Sequence, residues 1–383
     1  MLALAALDPE TWTRLPFEFW LVVYFIFGSM VGSFLNVCIY RLPRDLSVVH
    51  PPSHCPSCDY KIPFYLNIPI ATWIILRGKC SHCGKRISPQ YLIVEILTGG
   101  IFTGAWAKFG NIEDLLPSHL FVLSISLFLC GLLVATWVDF EHYIIPDSIT
   151  LGGIVVGFFL SFGVPKLHGM DSNVESMIDS LLGIALGWGL LYAILRLGKF
   201  AFGKKKISYP SGTKLLFSET GISVAGSDEM ETPYHDIFYR ESDKLRMVAT
   251  QVVLPDRCFF NTEVVLSPSL LTIAEEQWKP EEVPQMEVET DEIIQPQEAM
   301  GFGDVKYMAA IGAFLGWKSV FFTIMLSSIL GSVVGLSLIL FKRREWSSRI
   351  PFGPYISVAA IIYIFGGKWW LEQYIATGNI WPF

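Results

Sequence analysis

The chain has 383 residues, 52% of them hydrophobic and 14% aromatic, with a formal net charge of −7. So large an apolar share exceeds what a soluble core of this length requires, which excludes an ordinary soluble domain and points to a membrane protein. The negative total is local: residues 207–298 hold 18 acidic against 6 basic residues, a net of −12, which leaves about +5 on the rest of the chain.

Apolar runs of about 20 residues, the length a helix needs to cross hydrocarbon, fall at roughly 17–40, 90–108, 117–138, 149–165, 178–197, 319–341 and 352–373. A shorter stretch, Lys306 to Trp317, predicts an eighth helix. Asp8 and Glu10 precede the first run, Arg14 is the only base there, and no small-residue cleavage site follows. The first run therefore reads as a retained span, not a removable signal peptide. The loop from 41 to 86 carries Arg41, Arg44, Lys61, Arg77, Lys79, Lys85 and Arg86, while the next loop offers Asn111, Glu113 and Asp114. Loops kept in the cytoplasm retain their basic residues, so the first loop is expected inside. Threading onward puts Asp139, Lys204–Lys206, Asp304 and Lys342–Arg344 on that face and both termini on the other.

Four of the seven cysteines form Cys55-x2-Cys58 and Cys80-x2-Cys83 within this first loop. Cytosolic thiols stay reduced, so the pattern reads as a tetrahedral, structural zinc site, with reduced free thiols as the alternative. Cys38, Cys130 and Cys258 stand alone and read as small packed hydrophobes.

Two aspartates sit at the ends of apolar helices. The run Phe121 to Val138 ends directly on Asp139, and Gly301-Phe302-Gly303-Asp304 opens the run that follows it. A carboxylate beside hydrocarbon costs several kcal/mol unless compensated, so two at one membrane depth mark a functional site. Two close carboxylates cannot both ionise cheaply, so one serves as base and the other as acid, the chemistry of aspartyl proteolysis. Glycines at 301 and 303 let an extended substrate backbone approach Asp304. Asp147, after Pro146, is expected to cap the fourth helix. Lys306 either balances the carboxylates or reaches lipid headgroups. Glu141 and His142 read as solvated loop residues. Glu95, early in the second apolar helix, is a candidate for binding a methyl donor, a polar contact between helices being the alternative.

In the acidic stretch, Leu245 to Leu254 and Val264 to Ile273 are β-rich, with Gly221, Pro233, Pro255 and Pro268 as punctuation, which predicts a small β domain. From Glu275 to Glu298 the composition predicts a linker with no core-forming pattern. The insert either docks a partner and gates access to the membrane site or is a tolerated surface insertion.

The chain resembles the bacterial type IV prepilin peptidase family of GxGD-type membrane aspartyl proteases. The resemblance is carried by Gly32-Ser33-Phe34-Leu35-Asn36-Val37 with Arg41-Leu42-Pro43, both cysteine pairs around Asn67-Ile68-Pro69, and Tyr91 to Glu95. It continues through Asp139 with Ile145-Pro146-Asp147, Gly301 to Lys306, and Pro351-Phe352-Gly353-Pro354. It implies cleavage of a prepilin or pseudopilin, after a glycine that ends a basic leader, at the cytoplasmic face of the bacterial inner membrane. It also implies methylation of the new N-terminus from S-adenosylmethionine, in the service of type IV pili or type II secretion. By position in the motifs, the family's catalytic aspartates correspond to Asp139 and Asp304.

The expected fold is an all-α polytopic membrane protein of about eight spans with a zinc-binding loop and a β-rich soluble insert. The expected division is a first span (1–40), the zinc loop, methyltransferase-associated in the family (41–90), four helices carrying Asp139 (90–200), the insert (201–298) and the Asp304 segment with three helices (299–383). The expected partners are prepilin helices and lipid, with a further partner possible for the insert. A nucleic-acid role is disfavoured because the basic residues of the loop are scattered. Competing readings are a peptidase without methyltransferase activity, a proton-coupled transporter using the two aspartates as a relay, and a noncatalytic zinc-bearing membrane scaffold.

Overall fold

A computed structural model describes residues 12, 15–55, 57–226, 231–238, 243–283, 285–296, 300–341 and 351–376. Asp8, Glu10, Arg14 and the basic run 342–344, all used above for topology, lie outside the described residues.

The chain divides into two compact units, residues 1–191 with 302–383, and residues 192–301. The first is helical: α1 Phe17–Arg41, the short α2 Ala71–Ile75, α3 Pro89–Phe109, α4 Leu115–His142, α5 Asp147–Gly163, α6 Asn173–Phe202, α7 Phe302–Leu315, α8 Trp317–Leu340, α9 Gly353–Ile362 and α10 Lys368–Ala376. α6 continues from the first unit into the second. Between α9 and α10 a π-helical turn, Tyr363–Gly367, keeps the chain helical. Among the described residues α1, α3, α4, α6 and α8 are long and apolar enough to cross a membrane, and the chain is a multi-pass membrane protein. Three further apolar helices, α5, α7 and α9, are shorter.

Apolar helices gain nothing from hiding from lipid, so they associate through close backbone approach at small residues. In α1 and α3, a Cβ on Gly28 would lie 2.8 Å from the Thr98 carbonyl oxygen, and one on Gly32 2.8 Å from the Glu95 Cα. α7 is the most enclosed helix: Val305 and every residue from Tyr307 to Leu315 are buried. Its neighbours reach it through glycines four residues apart. Gly153 and Gly157 of α5 face Ala310, Ala313 and Phe314, while Gly183 and Gly187 of α6 meet the backbone of Gly312 and Met308. A side chain at any of these crossings would push Asp304, in the first turn of α7, off its position.

The second unit is an antiparallel sheet. Its strands are β1 Lys204–Ser208, β2 Lys214–Phe217, β3 Gly221–Val224, β4 Thr232–Pro233, β5 Leu245–Val253, β6 Cys258–Leu266, β7 Leu271–Ile273, β8 Glu276–Trp278 and β9 Met286–Pro296. The order is β4-β3-β2-β9-β5-β6-β7-β8, with β1 also pairing β9. The expectation of a coreless linker over 275–298 is therefore corrected. β9 pairs with β1, β2 and β5 at the centre of the sheet, and its Met286, Val288, Thr290 and Ile293 are buried. Glutamates at 287 and 289 alternate with those inward side chains, so a period of two runs through a segment whose composition alone reads as solvated. Burying side chains of this size contributes about 1.5–3 kcal/mol each, enough to hold an acidic strand in place. Thr290 spans the register shift between β5 and β9, its hydroxyl donating to the Val248 carbonyl at 2.8 Å. β1 and β9 pair from Lys204 opposite Pro296 to Ser208 opposite Glu292, so the chain leaves this unit beside where it enters.

Candidate active site

Asp139 lies in the last turn of α4, which ends where Tyr143 takes up a left-handed conformation and donates its N–H back to the Asp139 carbonyl at 3.0 Å. Its side chain turns inward, and the residue is only 5% exposed. Oδ2 accepts the backbone N–H of Gly353 at 2.9 Å, at the first residue of α9. A carboxylate at a helix N-terminus meets unsatisfied N–H groups and the positive end of the helix dipole. A Cβ at 353 would stand 2.7 Å from that same oxygen and 3.2 Å from Ile145, so any side chain there would displace the carboxylate.

Asp304 occupies the first turn of α7 and is 8% exposed. The α4–α5 connection joins the two aspartates. Ile145 lies against Gly353 beside Asp139, and its Cβ is 3.4 Å from where a Cβ on Gly303 would be, an ordinary contact. Gly301 is exposed just ahead of α7. The helix pairs α4–α9 and α7–α9 are in contact, and both carboxylates act electrostatically on the phenol of Tyr307.

Beneath them is a hydroxyl network absent from the sequence reading. Ser357 donates to the Gly353 carbonyl at 2.9 Å and accepts from Thr136 at 2.8 Å and from Tyr307 at 2.7 Å. A serine hydroxyl has one donor and two acceptor sites, so all are used. The network ties α4, α7 and α9 together at the level of the aspartates. Its residues stand at helical spacing from them: Thr136 three before Asp139, Tyr307 three after Asp304. That i, i+3 relation is the signal that would have found them.

Two expectations change. Asp147 does not cap α5: Pro146 holds the capping position, no side-chain cap forms, and the Asp147 carboxylate instead accepts from Lys306 Nζ at 2.6 Å. The proline and the nearby ammonium account for this, since a charged partner attracts a carboxylate more strongly than a backbone amide does. Lys306 thus answers to Asp147 and also lies 5.2 Å over the Phe302 ring, which meets Trp188 edge-on. Glu141 and His142 stand 4.0 Å apart and partly exposed.

The cysteine site is built locally. Cys55 and Cys80 each open a tight turn in which the cysteine carbonyl accepts the N–H of the residue four on, Asp59 or Gly84, and both of those have positive φ. Short antiparallel bridges, His54 with Lys61 and Lys79 with Arg86, close the two loops, and Tyr60 stacks on His82. The four sulfurs all lie within 4.8 Å of one another, Cys55 and Cys83 being 3.9 Å apart. Four metal–sulfur bonds of about 2.3 Å in a tetrahedron put neighbouring sulfurs about 3.8 Å apart, so the cluster has the dimensions to hold a metal ion. The Cys80 thiol is drawn down to about 7 by the backbone N–H groups of Cys83 and His82, which readies it as a thiolate ligand. Glu95 is elsewhere, buried in α3, with Oε2 accepting the N–H of Ile70 at 2.7 Å.

A family model described as the bacterial peptidase A24 N-terminal domain matches residues 26–109, and one described as the type IV leader peptidase family matches 126–217 and 285–336. The interruption, 218–284, falls inside the sheet unit. A protein of Myxococcus xanthus named prepilin leader peptidase/N-methyltransferase is 39% identical over 54% of this chain and 62% of its own length. Proteins of the same name from Stutzerimonas stutzeri and Aeromonas hydrophila are each 26% identical, over 93% and 92% of this chain and 93% of their own lengths. No solved structure matches the chain. With the two family models together spanning more than half of it, and the cysteine pairs and both aspartates lying within the matched segments, the chain belongs to the type IV leader peptidase family.

Proposed function

We propose that this protein is a membrane aspartyl endopeptidase that removes the basic leader of prepilins or pseudopilins and then methylates the new N-terminus. The observation that carries the reading is the convergence of Asp139 and Asp304, two buried carboxylates at helix ends, around Ile145, Gly353 and Tyr307. One carboxylate takes a proton from a water molecule as that water attacks the scissile carbonyl, and its partner donates a hydrogen bond or proton to the carbonyl oxygen. No covalent enzyme intermediate is needed. The Gly353 N–H engages Oδ2 of Asp139, so in this reading Oδ1 is the oxygen that serves the water. The pair titrates as a unit, and either aspartate can hold the shared proton.

Cys55, Cys58, Cys80 and Cys83 would hold a zinc ion, which when bound is a closed structural centre that fixes the fold of the loop. S-adenosylmethionine would supply the methyl group. In this reading α5, α7 and α9 join the five long helices to make about eight spans, and the end bearing the cysteine loop and both aspartates faces the cytoplasm of a bacterial inner membrane. A substrate helix approaches through lipid while its leader reaches Asp139 and Asp304.

Mass spectrometry of a co-expressed prepilin tests this, with the wild-type protein beside Asp139→Asn and Asp304→Asn. The expected result is loss of the leader and gain of one methyl group with wild type, and an intact leader with either variant. An uncleaved prepilin beside folded wild-type protein would overturn the reading.

A further inference from the structure

The segment between the two cysteine pairs turns back along the helices that flank it. α1 ends at Arg41 and α3 begins at Pro89, yet the Ile70 N–H donates to Oε2 of Glu95 at 2.7 Å, and the same carboxylate accepts from the Ser33 hydroxyl. Ser33 stands eight residues before the end of α1 and Glu95 six residues into α3. At 1.5 Å per residue, either helix puts Ile70 about 9–12 Å inside the level of the helix ends. Both helices are long and apolar enough to cross a membrane, so that level lies within hydrocarbon. Backbone that is not helical at such a depth needs its polar groups satisfied. Pro69 has no N–H, that of Ile70 goes to Glu95, and those of Thr72, Ile74, Leu76, Arg77 and Gly78 go to carbonyls between Ile68 and Ile74. Ile70 holds φ +61°, a conformation that a β-branched residue adopts only when its surroundings impose it, and the bond to Glu95 is that constraint.

The side chains suit the same place. Ile68, Ile74 and Ile75 are 54%, 59% and 76% exposed. A groove of about 870 Å³ has Ile68 and Ile74 on one side and Ile26, Met30 and Phe34 of α1 on the other, and those three are 51% to 58% exposed on a membrane-crossing helix. The apolar surface of the segment is thus continuous with the lipid-facing side of α1. Arg41, the one charged residue in the lining, stands at the end of α1 and donates to the carbonyls of Ser47 and Pro51. Directly after the segment, residues 77–86 hold Arg77, Lys79, Lys85 and Arg86, all exposed, and no acidic residue.

We infer that residues 67–76 form a re-entrant segment, with Ile68, Ile74 and Ile75 among the phospholipid acyl chains of the leaflet on the side of the cysteine loop. The four cations that follow meet the anionic headgroups of that leaflet. An apolar stretch joined to a cluster of one sign of charge is the pattern of an element that lies at a bilayer surface. Acyl chains fill the groove, because its α1 side is already lipid-facing. Glu95 is the positioning residue: from α3 it satisfies the N–H at the turn where the segment reverses. Since Cys55 and Cys58 precede the segment and Cys80 and Cys83 follow it, the cysteine centre is held at the membrane surface on both sides. Membrane insertion here goes beyond the proposed function and does not depend on it.

The experiment places a fluorescent amino acid at Ile75 or at Lys85 by nonsense suppression and reconstitutes the full chain, without substrate, in nanodiscs containing phosphatidylglycerol. Three quenchers are compared: a nitroxide on the lipid acyl chains, a nitroxide on the headgroup, and acrylamide in the water. At 75 the acyl-chain nitroxide should quench at least about threefold more strongly than acrylamide, since a probe beneath the headgroups is out of reach of a polar solute. At 85 the headgroup nitroxide should be the strongest of the three. Acrylamide as the strongest quencher at 75 would overturn the inference by putting the segment in water. Shielding from all three there would overturn it by showing a protein surface, such as a second copy, over the isoleucines. Glu95→Gln keeps an oxygen for the Ile70 N–H and should leave the ratio at 75 unchanged, whereas Glu95→Val strands that N–H in hydrocarbon and should bring the ratio down to about one. An unchanged ratio in Glu95→Val with metal content intact would remove the positioning role of Glu95. Leader removal enters none of these readings, so their failure and the failure of the proposed function are separate results.

Discussion

The aspartate site and the cysteine site are assembled in opposite ways. Each cysteine pair is closed within a few residues by its own turn and bridge, so its geometry is a local property of the chain. Asp139 and Asp304 stand far apart in sequence, and their surroundings are set by the packing of α4, α7 and α9, with glycines at 153, 157, 183, 187 and 353 setting how closely the helices approach. A local site survives distant damage and fails under attack on its own ligands. A distributed site fails whenever any of its helices shifts by a fraction of an ångström.

The largest effect that separates the two is expected from Asp139→Asn or Asp304→Asn. Leader cleavage should fall by about 10³-fold or more, the scale of a lost general acid or base, with metal content unchanged. Quantitative proteomics of the prepilin beside metal analysis of the protein would show it; loss of metal in these variants would break the independence of the sites. Gly353→Ala comes next. The added Cβ displaces the Asp139 oxygen 2.7 Å away, and cleavage should drop by about 10²-fold, the cost of misplacing a catalytic group by about an ångström. Retained activity there would mean that α9 does not position the aspartate.

Metal removal runs the comparison in reverse. Chelation, or Cys80→Ser, should make residues 50–86 sensitive to limited proteolysis while cleavage falls less than about tenfold, since metal binding and folding are coupled within the loop. Smaller again is Thr136→Val, which takes one donor from Ser357 and should cost about 1 kcal/mol in thermal or denaturant unfolding. The smallest effect is expected from excising residues 204–296 and bridging with a few Gly/Ser residues. Lys204 and Pro296 already lie opposite one another, and loop closure costs little, so cleavage should stay within about threefold. A larger loss would assign the insert a part in delivering substrate.

Much of the molecule was readable from the chain. Long apolar runs announce helices because bilayer thickness sets their length, and Leu245 to Leu254 announced β5 by its pattern. The failures share a cause. Glutamates and prolines between 275 and 298 concealed the inward alternation of Met286, Val288 and Thr290, because composition counts what faces water together with what does not. Asp147 reads as a cap because a cap is a local rule, whereas its partner, Lys306, arrives from another helix. Ser357 was invisible, one serine in an apolar run, until three helices brought Thr136, Tyr307 and Gly353 to it.

The sequence by itself determined the membrane setting, the positions of the long helices, the cysteine quartet and the two carboxylates at helix ends, since each depends on hydropathy or on contacts within a few residues. Only the tertiary structure decided that Asp139 meets the N-terminus of α9, that Lys306 answers to Asp147, that β9 is the centre of a sheet, and that the Glu95 carboxylate accepts the Ile70 N–H. Those facts rest on close contacts between segments distant in the chain, where glycine spacing and side-chain volume, set by all the packed helices or strands together, decide which groups touch.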